Sequence, residues 1–468
     1  MALKSPIGNI LKTKLYHLLV FGKEDGDDTS RFLLKTILWI MIFRMALITW
    51  AILFPDSKGF SSFIDVQIPS LSLGLPQNDA FFYWIISKYG FIPTQPVFGV
   101  DYGWRFVNFS PIIPLLFMAS NPIFQEFSPF LLNSLFLAIT PVFLHGFLRN
   151  IIHDKKKARF LTIAIILNPV FITYSTYGLT EPLHYLLLFL VLNAHYHKSK
   201  LFRLMEYAGL ILLVLNRFIG VVLAVFYLYK LVFSKGISIK ERVLKIIPVL
   251  ILGGTYLGYE FLCNIIFGHT PSEARGVYWG HYLNLNIFSP EFLQQIPLLL
   301  AGVSLGVATL LSLVNKDKDI ISMEKKSFNR IDVQACMAFA AIFFLFLGLF
   351  NSQISVFRYM GTLFPLIMVG FIKIPTSKFY SIGAFGIYLG MIITHIIMFP
   401  QIILVLQTDW GIILTGIEIF LVFSTSIAFV ILNIIICLKQ GKMQNMNKLV
   451  GYLFLLAVLL MPLSMYYP

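Results

Sequence analysis

The stretch EYAGLILLVLNRFIGVVLAVFYLYKLVF, Glu206 to Phe233, decides the topology of this chain. About 20 helical residues fill a hydrocarbon core, so the stretch is too long for one crossing, and it carries Asn216, Arg217 and Gly220 at its centre. Helices broken at mid-depth are tolerated only where protein or water surrounds them. The stretch therefore reads as two half-helices that enter and leave on the same side.

Working outward, apolar runs of crossing length recur near 36–54, 128–148, 158–177, 179–196, 247–267, 295–315, 333–350, 357–374, 380–400, 411–437 and 449–467. With about eleven crossings and a re-entrant 206–233, the N-terminus shares one face with Lys155 to Lys157, Lys198, Lys200, Arg203, Lys230, Lys235, Lys240, Arg242, Lys316, Lys318, Lys325 and Lys326. Arg44, Lys58, Lys88, Arg105, Arg217, Arg275 and Arg358 lie on the other face or within the membrane. That separation obeys the positive-inside rule and collapses if 206–233 crosses once. The formal charge of +14 is thus a topology signal, and no nucleic-acid partner is expected.

Composition agrees with lipid as the solvent. Of the 468 residues, 58% are hydrophobic and only 12% charged, with a strongly positive mean hydropathy, outside the range of soluble domains. The fold class expected is all-α, a polytopic bundle forming a single integral-membrane domain over 1–468. Residues 1–35 read as a cytoplasmic amphipathic lead-in, with Lys12, Lys14, Arg31 and Lys35 around the acidic run at Asp27 and no signal-peptide cleavage pattern. Cys263, Cys336 and Cys437 each sit in an apolar run, which excludes a disulfide framework. No internal repeat of the kind common in transporters is visible.

Chemistry is expected on the outer face, where residues 55–127 and 268–292 form the two long loops. The first holds Asp56, Asp65, Asp79 and Asp101, and its pieces NDAFFYWIISKYG (78–90) and NFSPIIPLLFM (108–118) read as surface helices. Asp79 places a carboxylate at the lipid–water boundary, where it can take a proton from a sugar hydroxyl. The competing reading makes Asn78 or Asp79 a helix cap. Glu181, in YGLTEPLH (177–184), is an acid in the outer turn between two spans, costly unless paired or wet. Its competing reading is also capping, with Thr180 as N-cap and Glu181 and Pro182 in the first turn.

Arg217, Arg358 and Arg105 are the cations suited to a lipid phosphate, because arginine keeps its charge when desolvated and its fork matches phosphate oxygens. Against this stand a buried structural ion pair for Arg217 and snorkelling for Arg358 in SQISVFRYMG (352–361). Arg44, within the first span, can pair with an acid such as Glu260 or Glu418, and the sequence does not choose between them. His195 and His197 read as polar span-end residues, and no metal site or cofactor is expected.

Taken in order, FSPIIPLLF (109–117), LNPVFITYSTYGLTEPLHYLL (167–187), LVLNRFIGVVL (213–223), GVYWGHYL (276–283) and FRYMGTLFPL (357–366) resemble the PIG-V family, GPI mannosyltransferase 2. The likeness covers roughly residues 75–370 and is strongest at Asn168-Pro169, Tyr177, Glu181 and Arg217. It implies the GT-C class of integral-membrane glycosyltransferases, which take sugar from a polyprenyl phosphate on the lumenal or extracellular side. The implied activity is transfer of mannose from dolichyl-phosphate mannose to a lipid-linked, GPI-precursor-like glycan acceptor. The endoplasmic reticulum membrane is expected in a eukaryote and the plasma membrane in a prokaryote, with a small membrane subunit as a further partner. The chain departs from the family at Asn78, where Trp usually precedes the loop Asp, and at Phe109-Ser110-Pro111, where an FFPL-type motif is usual.

The expected reaction is an inverting transfer with Asp79 as base, Glu181 as second catalytic acid residue, and Arg217, Arg358 or Arg105 on the donor phosphate. Two rivals remain at this level: a transporter or lipid flippase, and a non-catalytic subunit of a glycan-assembly complex.

Overall fold

The computed structural model describes residues 26–53, 79–93, 95–96, 103–124, 128–152, 155–166, 180–234, 238–279 and 330–349, with single positions 299, 303 and 306. Every element among them is helical: α1 (Gly26–Leu53), α2 (Asp79–Tyr89), a 3-10 turn (Arg105–Asn108), α3 (Ile112–Phe124), α4 (Ser128–Ile151) and α5 (Lys155–Ile166). There follow α6 (Glu181–Ala194), α7 (Lys200–Asn216), a second 3-10 segment (Phe218–Leu223), α8 (Ala224–Phe233), α9 (Ile239–Phe267), α10 (Pro271–Trp279) and α11 (Arg330–Leu349). The expected spans 357–374, 380–400, 411–437 and 449–467 lie outside the described residues, as does most of 295–315.

Helix α1 starts at Gly26, ten residues ahead of the expected 36–54, because Asp27 and Asp28 suit the positive end of a helix dipole. It packs on α4, where Arg44 is fully buried and its Nε donates to Ser134 Oγ at 3.1 Å. Of the two acids named for Arg44, Glu418 lies outside the described residues. Glu260 belongs to another ion pair, described below.

Helices α4 and α6 pack tightly where Gly146 of α4 meets Asn193 of α6. A Cβ there would lie 2.6 Å from Asn193 Oδ1, so a larger residue would have to push aside the Asn193 amide, whose oxygen accepts from Asn150 Nδ2 at 3.2 Å.

Helices over 131–151 and 242–267 are long and apolar enough to cross a membrane. In α9 the inner face holds Leu252, Tyr259 and Cys263, whereas Leu250, Leu257, Phe261 and Ile265 are exposed at helical spacing on the other. A stripe of large apolar side chains meeting no protein is what lipid contact requires, and water would penalise it.

Residues 206–233 form a hairpin that turns at Arg217, level with the start of α6. The first arm is the whole of α7, about 25 Å long, and the 3-10 segment with α8 returns about as far. The turn at Arg217 reaches the N-terminus of α6, where Asn216 Nδ2 donates to the Thr180 carbonyl at 3.1 Å. At the other end His195 touches both arms, through Glu206 at 2.8 Å and Lys230 at 2.9 Å. The arms are therefore as deep as α6 itself. A 3-10 start gains more length per residue than an α-helix, which a count based on α-helical rise misses.

Candidate functional site

The site is built where α6 begins and α7 ends. Thr180 precedes α6 but makes no side-chain cap; its carbonyl instead accepts from Asn216 and from His184 N, at 2.9 Å for the latter. Glu181 has none of its side chain exposed, and Arg217 Nη1 donates to its Oε1 at 2.9 Å. Arg217 breaks α7 by taking an extended conformation, φ −152° and ψ 123°, which swings its side chain back toward α6. Thr180, Glu181 and Pro182 take the N-cap and first-turn positions of the capping reading without a Thr180 side-chain bond, and the buried ion pair is the competing reading given for Arg217. Beneath it, one turn along α6, the His184 ring is fully buried, and its Nδ1 meets no hydrogen-bond partner among the described residues.

Gly220 is what lets the chain double back. A Cβ there would lie 2.9 Å from the Leu213 carbonyl oxygen and 3.0 Å from Leu213 Cγ, so backbone passes directly over backbone.

A second layer surrounds the pair. The Ser110 hydroxyl donates to the Leu215 carbonyl, and Tyr259 OH donates to the Phe109 carbonyl at 3.4 Å. Phe109 also receives α2, with Phe82 and Tyr83 at ring distances of 5.5 and 5.1 Å. Asp79 opens α2 one turn before these rings, so the segment carrying the expected base is tied through Phe109 and Ser110 to the residues just before Arg217. The Asp79 side chain itself lies outside what is described. Arg105 opens the 3-10 turn that packs on α10, and Val107 of that turn shares a small core with Phe218, Tyr259 and Ala274. Arg358 lies outside the described residues, as do Asp65 and Asp101.

Sequence reasoning missed a second outer ion pair. Arg275 Nη2 donates to Glu260 Oε1 at 2.9 Å and to Tyr256 OH at 3.2 Å, and Glu260 also accepts from Ser272 N at 3.1 Å and Ser272 Oγ at 2.6 Å. The signal was present. Thr270-Pro271-Ser272-Glu273 is a capping box with proline in the first turn, realised as Glu273 N to Thr270 Oγ1 at 3.1 Å and Thr270 N to Glu273 Oε2 at 2.8 Å. A helix starting there after a turn at Gly268, φ +71°, folds Arg275 back beside Glu260.

At the opposite end of the hairpin, Glu206 accepts from His195 Nδ1 at 2.8 Å and from Tyr227 OH at 2.9 Å, while Lys230 lies 2.5 Å from Asp332. His195 thus serves a protein network, and His197 packs tilted against Phe202, ring centroids 4.5 Å apart, with its pKa lowered to about 4 by burial. No group of three or more potential metal ligands occurs among the described residues.

No protein-family model matches this chain, and no curated protein does. Among solved structures it is similar to ArnT from Cupriavidus metallidurans bound to undecaprenyl phosphate, at 13% identity and a TM-score of 0.42. The match covers 77% of this chain and 66% of that one.

Proposed function

We propose that this chain is a GT-C type membrane glycosyltransferase that moves a sugar, mannose in the first instance, from a dolichyl or other polyprenyl phosphate to a lipid-linked, GPI-precursor-like glycan. The observation that carries the reading is the buried Glu181–Arg217 pair at the outer end of α6 and α7. Burying an ion pair gives little stability over an apolar pair of the same size, so an arginine kept there points to a task for its charge. The order of motifs from the 109–117 segment to the 357–366 segment supports the same class.

In this reading the acceptor hydroxyl gives its proton to Asp79 as its oxygen attacks the anomeric carbon. The bond from that carbon to the phosphate oxygen breaks, the lipid phosphate leaves with the electron pair, and the configuration inverts. Glu181 fixes the plane of the Arg217 guanidinium, which with Arg105 and Arg358 meets the charge growing on the phosphate. The donor carries its own anchor, so the chemistry calls for no nucleotide site.

The test uses purified protein in lipid with radiolabelled mannosyl-phosphoryl polyprenol and a membrane lipid extract as acceptor. Transfer by the natural chain that falls at least about 100-fold in Asp79→Asn supports the assignment. Transfer surviving that substitution moves the base to Glu181 or Asp101. No transfer from any polyprenyl-phosphate sugar removes the reading in favour of a transporter, flippase or non-catalytic subunit.

A further inference from the structure

The turn and helix that carry His269 and Arg275 touch both segments that carry Arg105 and Arg217. Its guanidinium carbon lies 4.8 Å above the Phe218 ring, and Phe218 is the residue directly after Arg217. On the other side of the same turn, His269 stacks on Trp104 at 3.9 Å and 9°, and Trp104 directly precedes Arg105. Glu260 holds Arg275 from α9 and also anchors the start of α10 through Ser272. Tyr256 adds its hydroxyl to the same guanidinium, and its ring stands edge-on to Phe218 at 6.2 Å.

We infer that the Glu260–Arg275 pair is a positioning device: it presses a flat cation on Phe218 and so sets where the Arg217 guanidinium stands relative to the 105–108 turn. This rests on the glycosyltransferase reading and extends it by naming a residue that acts through Arg217. The physical reason is that Arg217 is extended at the junction of α7 and the 3-10 segment, whose first bond runs from Gly220 N to the Arg217 carbonyl at 2.8 Å; Glu181 holds the guanidinium from α6, and where the junction itself stands depends on a constraint from the Phe218 side. A neighbour clamped between an aromatic stack and an ion pair supplies that constraint. Lysine in place of Arg275 retains the charge but not the planar face that lies over the ring.

Displacing a transition-state contact without removing it lowers kcat and leaves ground-state binding largely intact. Transfer kinetics are therefore measured for Arg275→Ala, Arg275→Lys and Phe218→Leu, with mannosyl-phosphoryl polyprenol varied against a fixed membrane lipid extract. The expected result is a kcat lower by about 10- to 100-fold in Arg275→Ala and Phe218→Leu, a smaller loss in Arg275→Lys, and donor KM within about twofold throughout. Phe218→Leu keeps the Glu260–Arg275 pair, so it carries the test if Arg275→Ala fails to purify as a folded protein. Variants that keep the natural kcat, or that raise donor KM with kcat unchanged, overturn the positioning role while natural transfer stands. A natural chain without transfer activity overturns this inference together with the function it rests on.

Discussion

The Glu181 carboxylate and the Arg217 guanidinium, 2.9 Å apart and both withdrawn from solvent, join the first turn of α6 to the break that ends α7. Removing one partner leaves a buried charge without its counter-ion. Glu181→Ala is expected to destabilise the fold by about 3–5 kcal/mol, read from chemical unfolding in detergent. The double substitution Glu181→Leu with Arg217→Met is expected to recover most of that stability and none of the transfer activity. Recovery of activity as well would show the charge to be dispensable.

The same logic applies at the far end of the hairpin, where Lys230 holds the fully buried Asp332 of α11. Lys230→Met is expected to lower stability by about 3–5 kcal/mol, and Lys230→Met with Asp332→Leu to lower it much less. A double-mutant cycle on unfolding free energy measures the coupling. Additive losses would mean that the pair does not hold α8 to α11.

Gly220 faces backbone, which cannot rotate away as a side chain can. Gly220→Ala is expected to cost about 1–3 kcal/mol and to reduce transfer, since the turn that moves is the one bearing Arg217. Natural stability and activity in that variant would mean the turn has room that its close contacts deny.

Both arms of the hairpin end on the same face, and α9 then crosses about 43 Å to the turn before α10. Lys198→Cys and Ser238→Cys should therefore react with a membrane-impermeant thiol reagent from one side of sealed vesicles, and Gly276→Cys from the other. Labelling of Lys198→Cys and Ser238→Cys from opposite sides would show that 206–233 crosses once.

Much of this was legible in the chain itself. Apolar runs at 128–148, 179–196 and 333–350 overlap the helices at 128–151, 181–194 and 330–349 with ends up to three residues off, and the centre of 206–233 announced its break through Asn216, Arg217 and Gly220. The start of α2 at Asp79 followed from its apolar spacing. Arg44 shows where such reading stops: an intramembrane cation asks for partners, but the sequence offers no sign that Ser134 is among them. Glu181 and Arg217 were each singled out as charges in lipid, and nothing in their spacing said that they meet.

The sequence by itself supplied the apolar runs of membrane-crossing length, read as helices, and the charges that would be out of place in lipid, because hydrophobic length and charge are properties of single segments. Tertiary structure alone decided the depth of the break, the Glu181–Arg217 and Glu260–Arg275 pairs and the clamp on Phe218. Those are set by how separate helices pack, and a side chain's partner across an interface depends on distances that no local pattern encodes.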